Sequence, residues 1–416
     1  MEQQTISDLL LTGISYDSGR VDASKLERLS AADGEALLDL AAKQRVSPLL
    51  YHRLVARGLE TRVPAEIMQG LRRAYLVNAA RNMRLHHELG EIVSGLRRGG
   101  IAVIVLKGAF LADAVYDNVA LRGIGDIDLL VPQEDVTKSR EVLTALGYHS
   151  LRSFSVDIHV DFATAKHLSP FVKPNMPWVE IHWNITSPGR QHSIDVAELW
   201  ERAVPATVAG VEVLALCAED LLLYLCLHAS YQHCFQLGLS ALCDIAATIR
   251  HYGDDMDWAQ VRQRAEQWRW RRGVHLALYL ARELVGAAVP DDVLRDLQPV
   301  GFSETIAAVV KEQLFSDQKM TSANFAQLWG AKRPQDKAVH LFRILFPSPL
   351  NMSTLYPAPP DSARIYLYYP VRLVDVLRRY GRATWCLLRG DQQTTLLAER
   401  KNVLSDWLAE EWVREA

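Results

Sequence analysis

Two aspartates stand two residues apart inside an otherwise apolar run, Asp126-Ile127-Asp128-Leu129-Leu130-Val131. Ile127, Leu129, Leu130 and Val131 suit a buried strand. On a strand, residues i and i+2 point to the same side, so Asp126 and Asp128 project together from one face. Two like charges held side by side in a buried strand are costly unless a cation neutralises them. A hard divalent cation with oxygen ligands is the simplest solution.

Residues 81–98 form an amphipathic helix that ends in Arg97-Arg98-Gly99-Gly100, and basic residues followed by glycine are a stop signal. Ile101–Leu106 is a buried strand without a polar residue, and Lys107-Gly108 breaks it. Ala109–Tyr116 reads as a short helix, 122–125 as a loop, 126–131 as the second strand, and Gln133–Leu146 as a helix closed by Gly147. Helix, strand, helix, strand, helix describes a small α/β unit. Tyr148–Phe162 alternates as a half-exposed strand or hairpin would, and 163–177, with Pro170, Pro174 and Pro177, reads as a loop. Trp178–Asn184 alternates again, with Glu180 and His182 on one face and Val179, Ile181 and Trp183 on the other. Val211–Leu214 is one more short strand.

The flanks are helical. Ala31–Lys43, Leu49–Leu59 and a helix from Pro64 through Leu76 precede the core. Ala218–Tyr231, Leu239–Tyr252, Trp258–Trp268 and Val274–Val285 follow it, and Pro290 starts a further section. A loop spans 347–360, and a final helical pair covers 364–389 and 392–413. The fold class is therefore α+β, a small mixed-sheet core with large helical N- and C-terminal segments. The divisions expected are 1–80 (helical), 81–215 (core), 216–345 (helical) and 346–416 (C-terminal helical).

Composition narrows the function classes. Of 416 residues, 49% are hydrophobic and 23% charged, ordinary for a globular chain with a sizeable core. A net charge of −3 gives no global basic field, so no extended nucleic-acid surface is expected. Five cysteines in a chain this long do not make a disulfide framework. No signal-peptide core stands at the N-terminus, and the longest apolar run, Leu221–Leu227, is too short to span a bilayer. A cytoplasmic protein without membrane attachment is expected.

A glycine turn after a strand, a helix, Asp-x-Asp on the next strand and a further acid on a later strand resemble the polymerase-beta-like nucleotidyltransferase superfamily. The closer resemblance is to a bacterial group of uncharacterised nucleotidyltransferases. It is carried by Leu106-Lys107-Gly108, Tyr116, Leu121-Arg122, Asp126 to Val131, Gly147-Tyr148 and Glu180-Ile181-His182-Trp183, then by Leu227-His228-Ala229, Asp244-Ile245 and Asp257-Trp258, across roughly residues 80–290. The resemblance implies transfer of a nucleoside monophosphate from an NTP to an acceptor, with release of pyrophosphate. It implies that Asp126, Asp128 and Glu180 hold Mg²⁺ or Mn²⁺, Glu180 alternatively taking the acceptor's proton. Lys107, Gly108 and Arg122 would hold the triphosphate. The acceptor is a small molecule, a protein side chain or an RNA end. The superfamily has Gly-Ser or Gly-Gly at the first turn; Gly108-Ala109 stands here, and Lys107 would compensate for the missing hydroxyl.

Two other function classes fit part of the pattern: a binding or scaffold protein with the fold but not the chemistry, and a phosphoryl or pyrophosphoryl transferase. Asp157 and Asp161 are the other candidates for the third acid. His182, His228 and Asp244 read more readily as structural residues. Cys217, Cys226, Cys234 and Cys243, with His228 and His233, lack the Cys-x-x-Cys pairs of a zinc site and read as buried cysteines. Trp268-Arg269-Trp270-Arg271-Arg272 reads as the basic end of an amphipathic helix rather than a nucleic-acid patch. Replacing either aspartate of the pair with asparagine is expected to leave the metal-free fold intact and even to stabilise it, because like-charge repulsion is relieved.

Overall fold

The computed structural model describes residues 3–17, 23–152, 154, 157–188, 194–316, 334–388 and 402–409. It forms two compact units. The first comprises Met1–Leu151, Ser169–Ile185 and Ile194–Phe302; the second comprises Arg152–Leu168, Thr186–Ser193 and Ser303–Ala416. Among the described residues, no helix is long and apolar enough to cross a membrane.

The first unit holds a mixed sheet of seven strands among the described residues. They are β1 Ile104–Val105, β2 Asp126–Leu130, β3 His149–Ser150, β4 Phe171–Val172, β5 Trp178–His182, β6 Val204–Val208 and β7 Val211–Ala215. Their spatial order is β3-β4-β5-β2-β1-β7-β6. β2 runs parallel to β5, and β1 runs antiparallel to β2 and parallel to β7. Ile127, Leu129, Val179 and Ile181 are completely buried on one face of the central pair. That anchoring fixes the direction of the alternate residues on the other face. With helices on both sides of it in sequence, this is the α+β class expected.

One helix of 34 residues, Ala65–Arg98, organises the unit. The separate helices expected before and after residue 80 are continuous, because no proline or glycine pair interrupts the intervening turn. Its buried stripe runs through Leu71, Leu85, Leu89, Ile92 and Leu96, at the spacing an amphipathic helix requires. Ser30 starts the helix Ala31–Lys43 with a reciprocal capping box to Asp33. In the helical half, Ala218–Leu227 is buried from Asp220 onward, so it lies inside the unit rather than on its surface. Asp220 within it is held by Arg202 at 2.9 Å and Arg264 at 2.8 Å.

Several local expectations are overturned. Between residues 148 and 162 the described strand is two residues long, and Asp157 caps a helix, Ile158–Thr164, by accepting from the His159 N–H at 2.9 Å. The loop at 347–360 contains the helix Pro349–Leu355, started by Ser348, whose hydroxyl accepts from Asn351 N–H, and by Pro349 in the first turn. β6 was not foreseen. It pairs with β7 through a turn at Ala209 and Gly210, with φ of 53° and 74°, the left-handed pair a tight hairpin turn needs. Pro205 lies within β6, which is compatible with a strand only at an edge, and β6 is an edge. Of the expected helix 392–413, residues 402–409 are described and helical.

The second unit has a small core of its own, Met352, Tyr356, Ala358 and Ile365, with Tyr368 and Tyr369 against it. Tyr356 donates its hydroxyl hydrogen to Asp375 at 2.8 Å, on the helix Tyr368–Leu388.

Candidate active site

Strand register assembles the site. β2 and β5 run parallel with Asp126 opposite Trp178, Asp128 opposite Glu180, and Leu130 opposite His182. The period of two places Asp126, Asp128, Trp178, Glu180 and His182 on one face. Asp128 is 2% exposed. Its Oδ1 lies 2.8 Å from His182 Nε2, and its Oδ2 lies 3.4 Å from Lys107 Nζ. His182 Nε2 is also 3.3 Å from Glu180 Oε2. Asp128, Glu180 and His182 form a group whose ligand atoms all lie within 4.8 Å of one another, a geometry open to a metal ion. Asp126 stands beside the group rather than in it.

The electrostatics follow from this crowding. Burial alone would raise the Asp128 carboxyl, but Lys107 and the hydrogen-bonded His182 outweigh it and hold the group well below the usual carboxylate range. Asp126 moves the other way, raised first by burial and then by the charge of Asp128. For Lys107, burial favours the neutral amine, yet Asp128 overrides it and keeps the ammonium above its ordinary range. Its Nζ also lies 5.4 Å from the centre of the Tyr224 ring. Asp128 and Asp126 thus face one buried lysine, and Glu180 adds a third carboxylate through His182 beside Asp128. The excess negative charge and the oxygen-rich donor set fit a divalent cation.

Lys107, Gly108, Arg122, Asp126, Asp128 and Trp178 line a cleft of about 310 Å³; Glu180 does not line it. Lys107 has φ +44°, a left-handed conformation that only surrounding structure makes tolerable for a lysine. It starts the short helix Lys107–Phe110 at the end of β1. At Gly108 a Cβ would overlap the Arg122 guanidinium, so glycine is what lets that side chain lie against the turn. Arg122 pairs with Asp244 at 3.0 Å, and Tyr116 donates to the other oxygen of Asp244 at 2.9 Å. The loop carrying Arg122 is fastened to the long helix. The amide of buried Asn82 donates to Val119 O at 2.6 Å and Arg122 O at 2.7 Å, and Asn78 donates to Ala120 O at 2.7 Å.

From the helical half, His228 and Asp244 also line the cleft. Gln232 donates through Nε2 to Ile185 O at 2.9 Å, which leaves its Oε1 to accept from His228 Nδ1 at 3.1 Å. Burial, and then Lys107, push the His228 imidazole well below its usual range, so it is neutral.

The structure therefore brings Lys107, Gly108, Arg122, Asp126 and Asp128 to one cleft, with Glu180 beside Asp128. Asp157 and Asp161 are used elsewhere, the first as a helix cap and the second paired with Arg152 at 2.9 Å. His182 and Asp244, read as structural from the sequence, hold the functional candidates in place. The shared face of Glu180 and His182 was a legible signal for the first; nothing local marks the second. Asn82 and Trp178 went unnoticed, because an asparagine inside a helix and a tryptophan at a strand start are unremarkable in sequence. Cys226 and Cys243 are buried, whereas Cys217 and Cys234 are half-buried rather than buried as expected, and Cys243 lines the cleft beside Asp244. Trp268 packs on Trp270 with ring centres 4.8 Å apart, and the Trp-Arg stretch is not part of the cleft lining.

A family profile described as Uncharacterised nucleotidyltransferase matches residues 30–286, which includes every residue of the cleft. Neither a comparison with curated proteins nor one with solved structures gives a match.

Proposed function

We propose that this chain, which belongs to the uncharacterised nucleotidyltransferase family, moves a nucleoside monophosphate from an NTP to an acceptor and releases pyrophosphate. The observation that carries this reading is the parallel register of Asp128 with Glu180, Asp126 one step along the same face, and Lys107 and Arg122 at the same cleft. Asp126, Asp128 and Glu180 would hold Mg²⁺ or Mn²⁺, as in the polymerase-beta-like superfamily. That ion would supply positive charge to the phosphate oxygens as the bond changes proceed.

The chain's own groups do the rest. Lys107 and Arg122 neutralise the triphosphate, and Gly108 allows close approach of the backbone to it. An acceptor oxygen bonds to the α-phosphorus while the bridging bond to the β-phosphate breaks. Pyrophosphate departs with the electron pair, and the acceptor's proton passes to the Glu180 carboxylate. His182 keeps Glu180 and Asp128 in fixed orientation through contacts at 3.3 and 2.8 Å. Positioning of this kind, with charge stabilisation, accounts for most of the catalysis in phosphate transfer.

One observation favours a second reading, a binding protein without the chemistry: Lys107 and His182 already engage the two oxygens of Asp128. Incubation with each NTP and Mg²⁺ or Mn²⁺, followed by intact-mass analysis of the protein and of candidate acceptors, separates the readings. An added nucleoside monophosphate supports transfer. Addition of phosphate or pyrophosphate alone would make it a phosphoryl or pyrophosphoryl transferase, and no addition with any NTP would leave the binding reading.

A further inference from the structure

In an in-line displacement the entering and leaving oxygens lie on opposite sides of the phosphorus. In the sheet, β1 and the Lys107-Gly108 turn lie on one side of β2, and β5 lies on the other. Pyrophosphate held by Lys107 therefore leaves on the β1 side, and the acceptor enters on the β5 side. There the structure shows a large aromatic residue in an unusual position. Trp178 is 51% exposed, stands in register with Asp126, and lines the cleft.

The residues just before Trp178 lead away from the cleft. Met176 and Pro177 form one wall of a second groove, about 370 Å³ in volume, whose other wall is the long helix with Val77, Arg81 and Arg84. These three stand at i, i+4 and i+7, on one helical face. Val77 is 61% exposed. Arg81 and Arg84 are exposed and enter no ion pair among the described residues. The peptide link from Pro177 to Trp178 joins this groove to the rim of the cleft.

We propose that Trp178 and this groove form the acceptor site, and that the acceptor is the 3′ end of a single-stranded polynucleotide. The terminal base stacks on Trp178, and the phosphates behind it pass along Arg81 and Arg84. A flat aromatic face at the cleft rim, followed by unpaired arginines in the adjoining groove, matches a strand whose terminal base is trailed by phosphates. An acidic peptide offers the charge without the planar face. The net charge of −3 does not oppose this, because the cations involved are local. The chemistry assigned to the bound end rests on the transferase reading; the binding does not.

The test uses the full chain, a short labelled single-stranded oligoribonucleotide, and an oligoglutamate peptide of equal charge as competitor, read by fluorescence anisotropy over a salt series. The wild type is expected to bind the strand and not the peptide. The Arg81→Gln/Arg84→Gln double variant should bind at least about tenfold more weakly, with the log–log salt slope reduced by about 1.4. Trp178→Ala should lose about tenfold and Trp178→Phe much less. Lys138→Glu, on an exposed part of another helix, should bind as wild type. Equal binding of the peptide, absence of strand binding, or wild-type binding by both the Arg and the Trp178→Ala variants overturns the proposal. Thermal protection by Mg·ATP is measured alongside. Strand binding that maps to these residues without protection by any NTP would remove the transferase reading and leave the acceptor groove standing; protection without strand binding would do the reverse.

Discussion

Asp126 and Asp128 are chemically identical and two residues apart, yet their surroundings give them opposite roles in stability. Asp128 is buried and shared between Lys107 and His182, so its loss leaves a lysine charge buried without its partner. The expectation that asparagine at either position relieves repulsion and stabilises the metal-free protein is therefore corrected for Asp128. Asp128→Asn should cost on the order of 3 kcal/mol in EDTA. Asp126→Asn should raise the melting temperature, because this carboxylate is raised by burial and by the charge of Asp128. Calorimetric melting of both variants without metal checks the pair, and a shift of the same sign in both would contradict the assignment of Lys107 to Asp128. Glu180→Gln is the third substitution at this scale. It should abolish transfer and leave NTP protection nearly intact, since the lost group acts on the acceptor side and matters most in the transition state.

The long helix Ala65–Arg98 positions the loop that carries Arg122 through Asn78 and Asn82, and the buried Asn82 is the one that reaches the Arg122 carbonyl. Asn82→Ala removes donors to two carbonyls at once and should destabilise the protein by about 2–4 kcal/mol. It should also weaken protection by ATP more than protection by AMP, because Arg122 is assigned to the triphosphate; equal loss for both nucleotides would place Arg122 elsewhere. A second helix carries a pH-sensitive group. His275, on Arg271–Val285, packs edge-on against Phe302 with ring centres 4.5 Å apart, and burial pushes it down to about 4. Its folded pKa lies below the ordinary value of about 6.5, so its contribution is fully present above that pH. As pH falls from about 6.5 to about 4, the unfolded chain takes up the proton first, and up to about 3 kcal/mol is lost. Urea unfolding of wild type and His275→Gln should diverge in that window; parallel pH profiles would contradict the burial of a neutral imidazole. At this scale the sequence was most legible where periodicity is strong. The alternation of 126–131 and 178–184 and the helix at 239–252 need only hydrophobic spacing. β1 was legible from the apolar run 101–106, although only Ile104–Val105 pair as strand; two-residue strands such as β3 and β4 carry too few positions to show a period. The caps at Asp157 and Ser348 are single-residue signals set among residues that read as strand or loop.

For the whole molecule, what sequence could not show is long-range. Asp244 meets Arg122 and Tyr116 from more than 120 residues away, and no local pattern announces such a partner. The three acids are the converse case: two lie on one strand, and the third is brought beside them by parallel pairing across about 50 intervening residues. Helices from the second half of the first unit close the cleft from Leu225 to Asp244, which explains why the family match extends beyond the sheet. The central claim, that this assembly transfers a nucleotidyl group, is tested most directly by following the two ends of the triphosphate. ATP labelled at the α-phosphate and ATP labelled at the γ-phosphate are supplied in parallel with Mn²⁺ and a single-stranded RNA acceptor, with Glu180→Gln as control. α-Label is expected on the acceptor and γ-label in released pyrophosphate, and neither in the Glu180→Gln reaction. Acceptor carrying the γ-label, or α-label transferred undiminished by Glu180→Gln, would contradict the central claim.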